Sequence, residues 1–136
     1  MATFLLELVS PEKLLLSRQV ELVTIPAVEG EMGVLPGHAP MIVALQGGVI
    51  RVRENGAETE RLFVAGGFAE VSPERVTILA DEATALASLS RAGAERRLAE
   101  AEAALQEAVN EPEPRREAAY ARVQALRTAV SVAEAA

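Results

Sequence analysis

Val49-Ile50-Arg51-Val52-Arg53-Glu54-Asn55-Gly56, followed by Arg61-Leu62-Phe63, is the stretch on which the fold turns. Ile50 and Val52 alternate with Arg51 and Arg53, the period of a strand with one face buried and one in water. Asn55-Gly56 supplies the two residues that most readily take positive φ, so the chain is expected to turn back there into a second, antiparallel strand. A hairpin of this kind is the repeating unit of an all-β domain.

The pattern extends on both sides. Thr3 to Val9, Gln19 to Ile25, Met41 to Leu45, Val49 to Arg53, Glu60 to Val64, Phe68 to Val71 and Arg75 to Leu79 are short apolar or alternating runs. Ser10-Pro11, Gln46-Gly47-Gly48, Glu54-Asn55-Gly56 and Ser72-Pro73-Glu74 separate several of them. Short strands at regular spacing predict a β-sandwich or barrel. The expected core is Leu5, Val23, Ile25, Leu45, Ile50, Phe63 and Ile78, a core of little bulk with three Phe and no Trp in the chain.

Gly30-Glu31-Met32-Gly33-Val34-Leu35-Pro36-Gly37-His38-Ala39-Pro40 interrupts the strands and holds the only histidine. Its glycines permit positive φ and its prolines fix φ, so it reads as a shaped loop presenting Glu31 and His38 outward. The Gly66-Gly67 pair suits close sheet packing or a bulge.

After Ala85 the composition changes to Ala, Glu, Arg and Leu, good helix formers, with no glycine beyond Gly93. The expected division is a sandwich over residues 1–86 and a helical segment over residues 87–136. Ala94, Leu98, Ala101, Leu105 and Ala108 step by 4, 3, 4 and 3, as do Ala119, Val123, Leu126, Val130 and Ala133. Each series is one narrow apolar seam. Asn110-Glu111-Pro112-Glu113-Pro114 between them predicts an antiparallel helical hairpin, with Ser88 or Ser90 capping its first helix. Half of the seam is alanine, and burial contributes only about 25 cal/mol per Å², so the hairpin is expected to be weakly held. Arg115 and Arg122 fall on one flank of the second seam, Arg116 and Arg127 toward the other. They suit either a solvated, ion-paired surface or an acidic partner met when the hairpin opens.

Composition narrows the function. A length of 136 residues with 50% apolar content allows a packed core, and no apolar run reaches the roughly 18 to 20 residues that span a bilayer. Met1-Ala2-Thr3 leads into a strand pattern without the features of a signal peptide, giving the expectation of a soluble, unprocessed chain. Zero cysteines and one histidine exclude disulfides, thiolate zinc sites and a His-rich metal site. The net charge of −7, with six Lys/Arg against twelve Asp/Glu over residues 1–86, and 3% aromatics argue against nucleic-acid binding. No phosphate loop, GxGxxG, HExxH or GxSxG occurs. Glu29 and Glu31 read as exposed carboxylates rather than a shared-proton pair, and His38 has no nucleophile or orienting acid at a recognisable spacing. No catalytic residue and no metal site are expected.

The segment from Gly30 to Pro40, together with Val64-Ala65-Gly66-Gly67-Phe68-Ala69-Glu70-Val71 and Val76-Thr77-Ile78-Leu79-Ala80-Asp81-Glu82-Ala83, resembles the epsilon subunit of bacterial F-type ATP synthases. The likeness is strong over residues 3–85 and looser in the helical tail. It implies a two-sheet β-sandwich followed by a helical hairpin, in a non-catalytic central-stalk subunit that couples rotation of the c-subunit ring, through the gamma subunit, to ATP synthesis. It implies that the sandwich binds gamma and rests on the c-ring, with Glu29, Glu31 and His38 at the ring contact. It implies that Arg115, Arg116, Arg122 and Arg127 meet the beta subunit when the hairpin inhibits ATP hydrolysis. Some relatives bind ATP through Ile or Leu, Asp, two variable residues, Arg and Ala. Here Glu82, Arg91 and Ala92 match that site while Ala87 and Ser88 replace its aliphatic and aspartate positions, so ATP is expected to bind weakly or not at all. The implied location is peripheral, on the cytoplasmic face of the bacterial inner membrane. The competing class is a small nucleotide-sensing or oligomerising module independent of ATP synthase.

Overall fold

The computed structural model describes residues 2–135, and side-chain environments through residue 133. Met1 and Ala136, the outer ends of the two expected segments, lie outside the described residues. Ten strands come first: β1 (Phe4–Val9), β2 (Leu14–Val20), β3 (Leu22–Ala27), β4 (Gly30–Val34), β5 (Met41–Leu45), β6 (Gly48–Glu54), β7 (Ala57–Val64), β8 (Gly67–Val71), β9 (Arg75–Ala80) and β10 (Ala83–Ala85). A 3-10 turn at Leu86–Ser88 leads to α1 (Arg91–Ala108) and α2 (Arg115–Ala135).

The strands form one hydrogen-bonded path, β10-β7-β6-β3-β5-β8-β9-β1-β2, with β4 paired to β3. Its corner is narrow, since β3 meets β5 through the single pair Ala27↔Leu45. The two halves fold over each other there and close on Phe4, Leu6, Leu8, Val23, Ile25, Ile50, Val52, Val76 and Ile78, all at most 1% exposed. Arg18 on β2, at one end of the path, reaches Glu60 on β7 at 2.5 Å and Glu54 on β6 at 3.5 Å. The sandwich is therefore partly closed, a half-barrel, with β1 and β9 as its parallel pair. At the decisive hairpin Glu54 faces Ala57, and Asn55 and Gly56 have φ of 52° and 78°, the two-residue turn that the sequence predicts.

Several expectations need correction. The run from Gln19 to Ile25 is not one strand: β2 ends at Val20 and β3 begins at Leu22. Gly30 to Val34 is a strand rather than loop, so Glu31 stands in a β-ladder opposite Pro26. Leu5 is only half-buried, because Glu7 marks the outward phase of β1 and Leu5 shares its face, leaving Phe4, Leu6 and Leu8 inside. Phe63 is 4% exposed, but it packs against the helices rather than inside the sandwich.

The helical hairpin forms as expected, and Ser90 rather than Ser88 is its cap, its Oγ accepting from the Gly93 N–H at 3.1 Å. Ala94, Ala101, Val123, Leu126 and Ala129 bury the seam around Phe63. A second strip is absent from the sequence reading. Ala125, 4% exposed, turns toward the β5–β6 turn, where a β-carbon on Gly47 would lie 2.7 Å from its Cα. Only glycine at 47 lets the helix come this close. No helix among the described residues is long and apolar enough to cross a membrane.

Candidate functional site

Three surfaces are candidates for a functional contact. The first is the outward face of β5-β8-β9-β1-β2. Alternation sends Phe68, Leu79 and Leu14 outward, at 57%, 54% and 55% exposure. The registers line them up: Ala44 opposes Phe68, Phe68 opposes Leu79, Leu79 opposes Val9, and Val9 opposes Leu14. Directly opposed residues share a face with β-carbons about 5 Å apart, so five strands present one continuous apolar row roughly 20 Å long. Ile42, 74% exposed, extends it on β5. At one end Ala44 and Phe68 border a cleft shared with Tyr120, Ala121 and Gln124 of α2, and Phe68, Leu79 and Leu14 remain more than half exposed, an apolar row of the kind that marks an interaction surface.

The second surface holds the residues expected at the ring contact. Glu29 is exposed in the β3–β4 turn, and Glu31 on β4 accepts from Arg51 Nη1 at 2.8 Å. Glu29 and Glu31 border one shallow cleft with Val28, Met32, Met41 and Ile42, placing acid beside exposed apolar side chains. His38 is half-buried beyond β4 rather than presented freely outward, its Nδ1 2.8 Å from the Ala39 carbonyl oxygen. Its loop is tied to the β8–β9 turn by the Gly37 N–H, which donates to Pro73 O at 2.9 Å. No hydrogen bond or ion pair joins Glu29, Glu31 and His38 to one another among the described residues. His38 has no acid or hydroxyl partner there that would make it a catalytic base.

The third surface lies where the hairpin meets the sandwich. Glu82, in the turn between β9 and β10, accepts from Arg97 Nη2 of α1 at 2.7 Å on one oxygen and from Arg122 Nη1 of α2 on the other. Arg91 pairs with Glu95 at 3.0 Å, and Ala92 is exposed beside it. Of the four arginines expected to meet a partner, Arg122 is thus taken by Glu82 and Arg116 by Glu113 at 2.7 Å. Arg115 and Arg127 are exposed without an ion pair among the described residues. The sequence reading missed Arg97. Its only signal is a place six residues beyond Arg91, which says nothing without the fold.

The glycine pair beside this region is a close-approach device. At Gly67, φ is +134° and a β-carbon would lie 2.0 Å from the Leu79 carbonyl oxygen, so no other residue fits.

The comparisons with known proteins agree with this geometry. Residues 3–86 match the family described as ATP synthase, Delta/Epsilon chain, beta-sandwich domain. The ATP synthase epsilon chain of Granulibacter bethesdensis is 66% identical over 104 residues, covering 76% of this chain and 77% of that one. That of Gluconacetobacter diazotrophicus is 46% identical over 127 residues, covering 93% and 90%. Among solved structures, a chain in the OSCP/F1/c-ring assembly of the Euglena gracilis mitochondrial ATP synthase superposes with a TM-score of 0.73 at 28% identity. It covers 94% of this chain and 79% of that one. A chain of the Tetrahymena thermophila mitochondrial central stalk and c-ring, at 12% identity and a TM-score of 0.64, shares the fold. With its sandwich, its hairpin and these likenesses together, the chain belongs to the ATP synthase delta/epsilon family, among the epsilon chains.

Proposed function

We propose that this chain is a non-catalytic rotor part of an F-type ATP synthase, with the apolar row of its outer sheet face as the surface that grips the gamma subunit. The single observation that carries the reading is that row. Ala44, Phe68, Leu79, Val9 and Leu14 run in register across five strands, and Phe68, Leu79 and Leu14 stay more than half exposed among the described residues. Membership of the epsilon chains supplies the identity of the partner.

Glu29, Glu31 and His38 then face the c-ring, where exposed carboxylates beside Met41 and Ile42 suit a contact that is apolar at its centre and polar at its rim. The chain transmits torque between ring and gamma and contributes nothing to the reacting atoms. Residues 1–86 form the anchor and residues 87–136 the regulatory hairpin, whose arginines meet the beta subunit once it opens. ATP is at most a weak regulatory ligand, because Ser88 stands where the relatives' motif has a carboxylate. The complex holds the chain peripherally on the cytoplasmic side of the membrane.

The test is binding to an ATP synthase core stripped of its own epsilon subunit. Phe68→Ser and Leu79→Ser, both at exposed positions, leave the fold intact and weaken binding by about tenfold or more each, the scale of interface anchors. Unchanged binding by both variants would move the gamma contact to another face.

A further inference from the structure

We propose that the carboxylate of Glu82 is the latch of the folded hairpin, and that by holding Arg122 it withholds that side chain from any acidic partner. The inference rests on the reading of the hairpin as a regulatory element and adds to it the group that governs its release.

Glu82 is held by the sandwich rather than by the helices. It sits in the two-residue turn between β9 and β10, and its carbonyl accepts from the Ala65 N–H at 3.1 Å, so its backbone belongs to the sandwich. Its two oxygens are divided between the helices, Oε1 to Arg97 of α1 and Oε2 to Arg122 of α2. One sandwich carboxylate thus clamps both arms of the hairpin. The three side chains are 43%, 40% and 42% exposed, so each pair is solvated and individually weak. That softness suits a reversible device. Half of the seam it supplements is alanine, with Leu98, Leu105 and Val130 only half-buried, so a modest electrostatic contribution bears on whether the hairpin stays closed.

The arrangement also makes two uses of Arg122 mutually exclusive. While Arg122 donates to Glu82 it cannot pair with an acid elsewhere, whereas Arg115 and Arg127 are exposed in the closed form. Opening the latch releases Arg97 and Arg122 together, because they share one acceptor. A partner carboxylate that captures Arg122 therefore competes with Glu82 for it, and the hairpin closes again when that partner withdraws.

Hydrogen exchange on the full chain tests this directly. Glu82→Gln keeps the shape of the side chain and removes the charge from both pairs. The expected result is a drop of about tenfold in amide protection across α1 and α2, with β1, β8 and β9 unchanged as an internal check that the sandwich is folded. Arg122→Gln alone gives a smaller drop, about two- to fivefold, and adding it to Glu82→Gln gives no further loss. Unchanged helix protection in Glu82→Gln, or effects of the two substitutions that simply multiply, would overturn the latch. Adding Glu82→Gln to an epsilon-depleted ATP synthase core separates the two layers of the argument. Stronger inhibition of hydrolysis than by the unsubstituted chain supports the latch. A core that binds neither form overturns the proposed function, and the exchange result still decides the latch.

Discussion

Gly47 and Ala125 touch so closely that a β-carbon on the glycine would sit 2.7 Å from the Cα and 2.9 Å from the Cβ of the alanine. Two backbones, one in the β5–β6 turn and one in α2, are packed against each other with no side chain between them. This contact limits how the hairpin can rest on the sandwich.

Gly47→Ala is therefore expected to push α2 off its seat. The obstacle is backbone and a stub methyl rather than the end of a flexible side chain, so the strain is not relieved by a rotamer change and amounts to about 1–3 kcal/mol. Hydrogen exchange reads it as lost protection from Val123 to Ala129, with the sandwich strands unaffected. Equal loss in both regions would mean that helix and sandwich unfold as one unit.

Phe63 tests the same boundary from the other side. It rises from β7 into the helical cluster of Ala94, Ala101, Val123, Leu126 and Ala129. Phe63→Ala is expected to remove about 3–5 kcal/mol of packing from the docked hairpin. The helices should lose protection, while the denaturant midpoint of the strands, followed by their own amides, shifts little.

Leu5 and Leu6 differ by one position and by one face. Leu6 is fully buried and Leu5 half-buried beside Glu7. Leu6→Ala should cost about 2–5 kcal/mol in denaturant unfolding and Leu5→Ala markedly less, since only the first leaves a cavity. Equal costs would contradict the phase of β1.

Glu31 is exposed and its pair with Arg51 is a solvated one, while His38 is half-buried and its ring bonds only the carbonyl of Ala39, so Glu31→Gln combined with His38→Ala should change stability by no more than about 1 kcal/mol. The expected effect is weaker attachment to the c-ring at undiminished gamma binding. Co-sedimentation with the ring and with the gamma-containing core, compared side by side, measures both.

How much of this the sequence carried depends on the element. β6 and its turn were legible because Ile50 and Val52 alternate with arginines and Asn55-Gly56 allows the positive φ that the turn requires. The helices were legible from composition and a strict seam. β4 was hidden by Gly30 and Gly33, which read as loop in isolation but pair residue by residue with β3. The break between β2 and β3 falls in Val20-Glu21-Leu22, where neither glycine nor proline announces it. β1 is apolar at every position but Glu7, and that one residue carried the phase. For the functional surfaces, Glu31 and His38 were visible as a motif, whereas the apolar row exists only once register brings Leu14, Val9, Leu79 and Phe68 together. Glu82 stands out in the sequence only through the resemblance to a nucleotide site. Its pairing with Arg97 and Arg122, 15 and 40 residues away, is a product of hairpin closure that no local pattern encodes.

The sandwich has its own closed core between Phe4 and Ala80, so the two parts can be separated experimentally. The most direct measurement adds either the full chain or a version ending at Ala85 to an epsilon-depleted ATP synthase core and follows binding and ATP hydrolysis together. Both forms are expected to bind, and only the full chain to slow hydrolysis. Failure of both forms to bind a matched core would contradict the rotor assignment, and equal hydrolysis with both bound would contradict the hairpin's role as a brake.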